Sequence, residues 1–408
     1  MFRIHSYRSG MTNNEPITGI PQTTVPTAEA SDHEVSPFTF SIPAADLDDL
    51  HDRLARTRYT TEVPGGDPAY GASLTKVREM AEYWRDEFDW RAVEARLAAF
   101  PHFTTTIDGQ PIHFLHVRSA ESNALPIVLT HGWPGSFAEF VDMIGPLVDP
   151  VAHGGRAEDA FHVVVPSFPG YAFSGPVTEA GWGSARVAAA WDTLMKRLGY
   201  TRYGAHGGDG GSFVGRELGI LAPEGLVGTH VLQLFSFPSG DPAEFEQLGP
   251  KDFEALEILK NFGEISAFAS LQSTRPQTLA HALADSPVGQ LAWNELMATF
   301  DRPTALSRDQ ILTHVSLYWF TNTAGSSARQ YKEDARFNAG EGVGARINHA
   351  PTGVSIFKND FRSIRVFAER DNDQIVFWKE HEVGGHFAAM EVPEVLVDDL
   401  REFFRPLR

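Results

Sequence analysis

Five residues, Gly207-Gly208-Asp209-Gly210-Gly211, set one carboxylate between two pairs of glycines. Small residues on either side of a central nucleophile mark a strand-to-helix turn so tight that its flanks have no room for side chains. The middle residue is then held in strained backbone geometry with its side chain aimed outward. A serine in that place attacks acyl carbon. An aspartate attacks a saturated carbon that bears a leaving group and forms an alkyl ester. Water then attacks the carbonyl of the aspartate itself. Asp-Gly is also an ordinary turn dipeptide, so the pentapeptide alone leaves a plain flexible turn open.

The second step needs a base, a group to orient it and donors for an oxyanion. His386, in "EVGGHFAAMEVPE" after the last strand-like run, is the candidate base. Asp360, in "SIFKNDF", is the candidate carboxylate that holds the imidazole tautomer. Asp371 and Asp373 are nearer to His386 but lie in the polar turn "ERDNDQ", and Asp241 follows an earlier strand; Asp360 is favoured over all three. His131-Gly132-Trp133-Pro134 comes directly after "PIVLT", as the oxyanion loop of an α/β-hydrolase does. The donors would be the backbone amides of Trp133 and Gly210. The chain order nucleophile, acid, histidine is also that of the α/β-hydrolases.

Strands must position these groups. β-rich runs at 126–131, 161–167, 202–206 and 226–233 alternate with helical stretches, which implies a parallel sheet covered on both faces. "HFTTTIDGQPIHFLHVRS" reads as a hairpin turning at Asp108-Gly109. From about 236 to 350 the pattern is helical, and strands return at 353–357 and 374–379. The expected layout is an α/β fold with a leader over 1–35, a helical N-terminal domain over 36–105 and core over 106–235. A helical cap over 236–350 follows, then core over 351–408. An insertion between late strands lies beside the carboxyl ends of the sheet, where ligands bind in open α/β folds.

At 408 residues the chain exceeds the roughly 250–300 at which a single core stops growing. Cysteine is absent, which excludes disulfides, thiolate metal sites and cysteine nucleophiles. The net charge of -19 opposes nucleic acid and anionic membranes as partners. No apolar run reaches the ~18 residues of a membrane helix. The leader is polar and lacks a secretory signal, and Met11 is an alternative start.

The motifs "HGWPGSFAEF", "PSFPGYAFS", "GGDGGS", "SPVGQLAW", "LYWFTNTAGSSARQYKE" and "GGHFAAMEVPE", with the N-terminal "YWRDEFDWRAVEARLAAFPHF", closely resemble the epoxide hydrolases of the microsomal type. The resemblance runs from about Ser36 to the C-terminus. It implies an α/β-hydrolase fold and a cofactor-independent, metal-free enzyme that opens an epoxide to a vicinal diol. It matches Asp209 to the nucleophile, His386 to the base, Asp360 to the acid and Tyr331 to one of two cap tyrosines that protonate the epoxide oxygen. The second tyrosine aligns with Phe268, which has no hydroxyl; Phe268, His131 and Pro134 are expected to line the pocket. Most relatives carry Trp after the nucleophile where this chain has Gly210. That predicts a roomier pocket floor and a more mobile loop, and it removes the indole with which haloalkane dehalogenases grip halide. The resemblance also implies a small apolar epoxide and water as partners, with homodimers common in the family, and a cytoplasmic location without a membrane anchor. A dehalogenase or esterase on the same scaffold, and a non-catalytic ligand binder, remain the alternatives.

Overall fold

The structure is a computed structural model that describes residues 34–64, 70–294, 297, 305–338 and 346–408. Nearly all of the leader, together with Met11, lies outside the described residues. Strands β4 (Leu125–Thr130) and β5 (Phe161–Pro166) are buried at every position. Such continuous apolar runs belong to strands covered on both faces. With β6 (Tyr203–Gly207), β7 (Leu226–Val231), β8 (Thr352–Ile356) and β9 (Ile375–Glu380) they pair in parallel, in the order β5-β4-β6-β7-β8-β9.

The sheet is not parallel throughout. β1 (Ser36–Phe38), β2 (His102–Ile107) and β3 (Gln110–Val117) extend it antiparallel, β3 pairing with β5. The β2–β3 turn has positive φ at both Asp108 (50°) and Gly109 (75°). A two-residue connection of this kind joins only antiparallel neighbours. β1 is a strand in a stretch read as helical; it is three residues long, too short to show an alternating pattern.

Three helices, α1 (Ala44–Ala55), α2 (Leu74–Asp86) and α3 (Trp90–Ala98), follow β1. Between β7 and β8 the described chain is helical: Pro242–Phe245, Pro250–Ile265, Ala267–Thr274, Pro276–Asp285, Pro287–Trp293, Arg308–Phe320, Ala324–Ser327 and Arg329–Asn338. Four of these begin on proline, whose fixed φ suits the first helical turn and whose missing N–H costs nothing there. The N-terminal helices brace this segment. Trp84 donates from Nε1 to Ser316 Oγ at 3.0 Å, and the rings of Trp90 and Phe320 lie 4.9 Å apart. None of the described helices is long and apolar enough to cross a membrane.

Candidate active site

Strands β4, β6, β7, β8 and β9 are neighbours, and the loops at their carboxyl ends bring the functional side chains together. β6 passes into α4 (Gly210–Leu221) through Asp209, whose φ is 49° and ψ is -120°. A Cβ on Gly207 would strike the Gly211 carbonyl, and one on Gly211 would strike that of Thr130. The glycines are therefore required by backbone contact, and a non-glycine residue is held at positive φ between them. Gly132 is required too, because a Cβ there would overlap the Asp209 side chain.

The two carboxylate oxygens of Asp209 are not equivalent. Oδ1 accepts from the Trp133 N–H at 3.0 Å and the Gly210 N–H at 2.7 Å. Oδ2 lies 3.5 Å from His386 Nε2. His386 Nδ1 is 2.7 Å from Asp360 Oδ1. Asp360 therefore follows β8 within reach of the imidazole. The rival carboxylates are elsewhere: Asp371 pairs with Arg370, Asp373 with His349, and Asp241 caps the helix Pro242–Phe245.

Burial alone would lower the His386 imidazole, but the charges and hydrogen bonds of Asp360 and Asp209 hold it well above its ordinary value. Burial alone would raise the Asp360 carboxyl, yet the charge and N–H of His386 and the Gln233 amide bring it below its usual range. The two shifts share one cause: each group favours the charged form of the other. Glu139, in the short 3-10 helix Phe137–Phe140 after the oxyanion loop, is pushed up to about 8, first by burial. The charge of His386 works against that rise, while Asp209 and Glu391 add to it.

Over Asp209 lies an aromatic group from two regions. Trp133 stacks on Phe268 with centroids 5.0 Å apart, and Tyr331 stands edge-on to both, at 6.1 and 6.2 Å. Burial, then the charge of Asp209, raises the Tyr331 phenol well above 10. Among the described residues its hydroxyl has no hydrogen-bond partner. The two other phenols that feel the Asp209 charge are engaged: Tyr171 donates to Gln330 Oε1 and Tyr318 to the Gly135 carbonyl, each at 2.7 Å. Phe268 is 5 % exposed and packs as part of the group.

Two expectations need correction. The pocket floor above Gly210 is not roomier. A Cβ there would come within 3.0 Å of Gln330 Nε2, so the Gln330 amide fills the space, and Gly210 is the first residue of α4 rather than free loop. His131 does not line a pocket. It is fully buried, its Nε2 accepts from the Phe168 N–H at 3.2 Å, and its Nδ1–H donates to the Gly132 carbonyl at 3.0 Å. Burial lowers its imidazole to about 4, so it stays neutral and shapes the loop. Pro134, joined to Trp133 by a cis bond, is buried in the same loop.

Gln233, Gln330 and Glu139 were not singled out from the sequence. Gln233 could have been noticed as a lone polar residue between Leu232 and Leu234, just past the end of β7. Among the described residues no group of three or more His, Asp or Glu could hold a metal ion. A cleft of about 270 Å³ opens between Pro169, Val177 and Trp182 on one side and Arg329 and Gln330 on the other. None of Asp209, Asp360 and His386 lines it, so the reactive atoms are located by their mutual geometry.

Comparison with known proteins identifies the family. Residues 35–140 match the family model described as "Epoxide hydrolase N terminus". The chain is 46% identical to the "Putative epoxide hydrolase" of Stigmatella aurantiaca, covering 92% of this chain and 86% of that protein. It is 33% identical to "Epoxide hydrolase 1" of Sus scrofa, over 92% and 90% of the two chains. Among solved structures, the Aspergillus niger epoxide hydrolase superposes with a TM-score of 0.80 at 35% identity, over 92% of this chain and 97% of that one. The juvenile hormone epoxide hydrolase of the silkworm Bombyx mori gives 0.83 at 26% identity, over 92% and 95%.

Proposed function

The chain belongs to the epoxide hydrolases, hydrolases that act on ether bonds, and we propose that it opens its epoxide to a vicinal diol through an ester on Asp209. The observation that carries this reading is the split role of the Asp209 oxygens: Oδ1 is held by two amides, while Oδ2 faces the imidazole at 3.5 Å.

Oδ2 attacks one ring carbon and the C–O bond breaks. Tyr331 gives its proton to the departing oxygen. Its phenol is poor at this while Asp209 is charged, but alkylation neutralises Asp209 and removes one cause of the raised pKa as the alkoxide forms. The same neutralisation takes away one of the two carboxylates that hold the proton on His386. His386 then gives its proton to solvent, Tyr331 regains one, and the neutral imidazole becomes the base.

Water attacks the ester carbonyl as His386 takes its proton. The oxyanion forms at Oδ1, already between the Trp133 and Gly210 amides; one such donor is worth about 2.7–4 kcal/mol. The intermediate collapses, and the new carboxylic acid passes its proton to the leaving diol oxygen. Asp209 is again a carboxylate and His386 an imidazolium.

The substrate class is a small apolar epoxide, consistent with the Trp133, Phe268 and Tyr331 rings above the nucleophile. A single turnover in heavy-oxygen water tests the mechanism. The first diol should carry unlabelled oxygen from the protein, and label should enter Asp209. Label in the first-turnover diol overturns the ester. In His386→Ala the ester should accumulate on Asp209 and be visible as a mass increase.

A further inference from the structure

The strained elbow raises a question that the triad does not answer. The backbone N–H of Asp209 points out of the turn into the protein and needs an acceptor. It finds Gln233 Oε1, at 2.6 Å. Ser212 Oγ, in the first turn of α4, lies 3.1 Å from the same oxygen. The other end of this amide, Nε2, donates to Asp360 Oδ2, the carboxylate oxygen that His386 does not use. Gln233 is 1 % exposed, and its backbone is fixed as well: its N–H lies 3.3 Å from Ser212 Oγ. Leu232 and Leu234 on either side are buried, and the Leu234 N–H donates to Ser363 Oγ, three residues past Asp360.

We infer that Gln233 is a positioning residue of the reaction, a single carboxamide that ties the backbone of the nucleophile to the carboxylate that orients the base. This rests on the ester mechanism proposed above. The chemistry of the site calls for an amide. The Asp209 end presents a donor and requires an acceptor; the Asp360 end presents an anion and requires a donor. The network thus fixes which end of the amide is oxygen. An ionised glutamate could serve only the first end, and a leucine neither. Because β6, β7 and β8 each contribute one of the three residues, the link also holds three neighbouring strand ends in the spacing the reaction needs. A misplacement of about 1 Å at such a site can cost about 10²-fold in rate.

The acids near His386 are Asp360, Asp209 and Glu139; the charges of Asp360 and Asp209 raise its proton affinity, while Glu139, held protonated by burial, feels the charge of the imidazole. Gln233→Glu would add a fourth acid against Asp360. Protonated, it still donates to Asp360 Oδ2; ionised, it repels it. The alkylation step uses only the Asp209 end, where the acceptor is kept.

The experiment resolves the two steps by rapid quench and mass analysis of the Asp209 ester between about pH 6 and about pH 9. In Gln233→Glu, ester formation should stay within about threefold of the unmodified enzyme, while ester hydrolysis slows by about tenfold or more, and the defect should deepen as pH rises. In Gln233→Leu both steps should slow, with no such growth of the defect with pH. Hydrolysis and alkylation rates of Gln233→Glu that keep the unmodified ratio across this range overturn the inference, even if the melting temperature falls. If Gln233→Glu does not fold, Gln233→Leu decides: hydrolysis unaffected in the folded variant overturns it equally. Absence of any ester in the unmodified enzyme is a different result, which removes the mechanism beneath.

Discussion

The two walls of the site are held by different means. On the core side, backbone contacts do the work: glycine Cα atoms packed against carbonyls, two amides on Oδ1, an imidazole locked into the loop. On the side of the inter-strand helices, side chains do it. Gln330 and Asp334, one turn apart on Arg329–Asn338, reach the core at Tyr171 and at the Ser184 N–H and hydroxyl, and Tyr331 sits beside Gln330 on the same helix. A wall made of backbone cannot be altered without strain. A wall made of side chains can be altered by point substitution, so variation in substrate should be concentrated there.

That contrast predicts that substitutions in the helical wall change rate without changing stability, while those in the elbow change both. Tyr331→Phe should give the largest effect. Loss of a positioned acid should slow ring opening by about 10²–10⁴-fold. The thermal midpoint should stay where it is, since the hydroxyl has no hydrogen-bond partner among the described residues to lose. Single-turnover ester formation and a thermal melt check both halves of the statement. A full-speed variant would mean that the helical wall contributes no proton and serves only to enclose.

Gly211→Ala tests the other wall. Its methyl meets the Thr130 backbone carbonyl, which cannot rotate away. Destabilisation of about 3 kcal/mol or more is expected, measured as a lower denaturant midpoint at unchanged slope, with activity falling in parallel. Stability within error of the parent would show that the elbow can relax and that the contrast between the walls is overstated.

The same contrast explains what could be read from the sequence. The elbow, the oxyanion loop and His386 were legible because they depend on local sterics and on chain order: glycines where a Cβ cannot fit, loops at the ends of apolar runs. Asp360 was legible because it follows a strand, whereas its rivals sit in solvated turns. The contacts of Gln330 and Gln233 were not, because a glutamine announces nothing by spacing; its role comes from which strand end or helix the fold sets opposite. For the same reason the absence of a side chain at Gly210 was read as space, when a residue 120 positions later fills it. The edge of the sheet was misread because a three-residue strand carries no period.

Where the walls meet, Gly210 and Gln330 can be tested as a pair. Gly210→Trp forces an indole onto the Gln330 amide and, through the helix, onto Tyr331. Gln330→Ala removes the obstacle but also the bond to Tyr171. The double variant should recover part of what each loses, a coupling of about 1–2 kcal/mol in kcat/KM across a double-mutant cycle. Additive losses would show that the amide fills space above the elbow without setting the position of the tyrosine.

The smallest effect per group is on pH stability, and it reaches both walls. His131 in the oxyanion loop is lowered to about 4 and His314, on the helix Arg308–Phe320, to about 3, in both cases chiefly by burial; His314 Nδ1 lies 2.9 Å from Ser136 Oγ of that loop. Between these values and the ordinary 6.5 the unfolded chain binds a proton that the folded chain refuses. Stability should therefore fall as pH drops below about 6.5, by up to about 1.4 kcal/mol per pH unit for each such histidine. Glu139 has the opposite sign. Raised from 4.5 to about 8, it keeps its proton when folded, so it withdraws stability as pH rises across that interval. Denaturant midpoints of the parent should fall from about pH 6.5 toward about pH 4, because several histidines outweigh one glutamate. Glu139→Gln removes only the opposing contribution, so its loss on acidification should be steeper than the parent's. An identical slope in the two proteins would mean that the Glu139 carboxyl titrates alike in the folded and unfolded chains and is not a buried neutral acid beside His386.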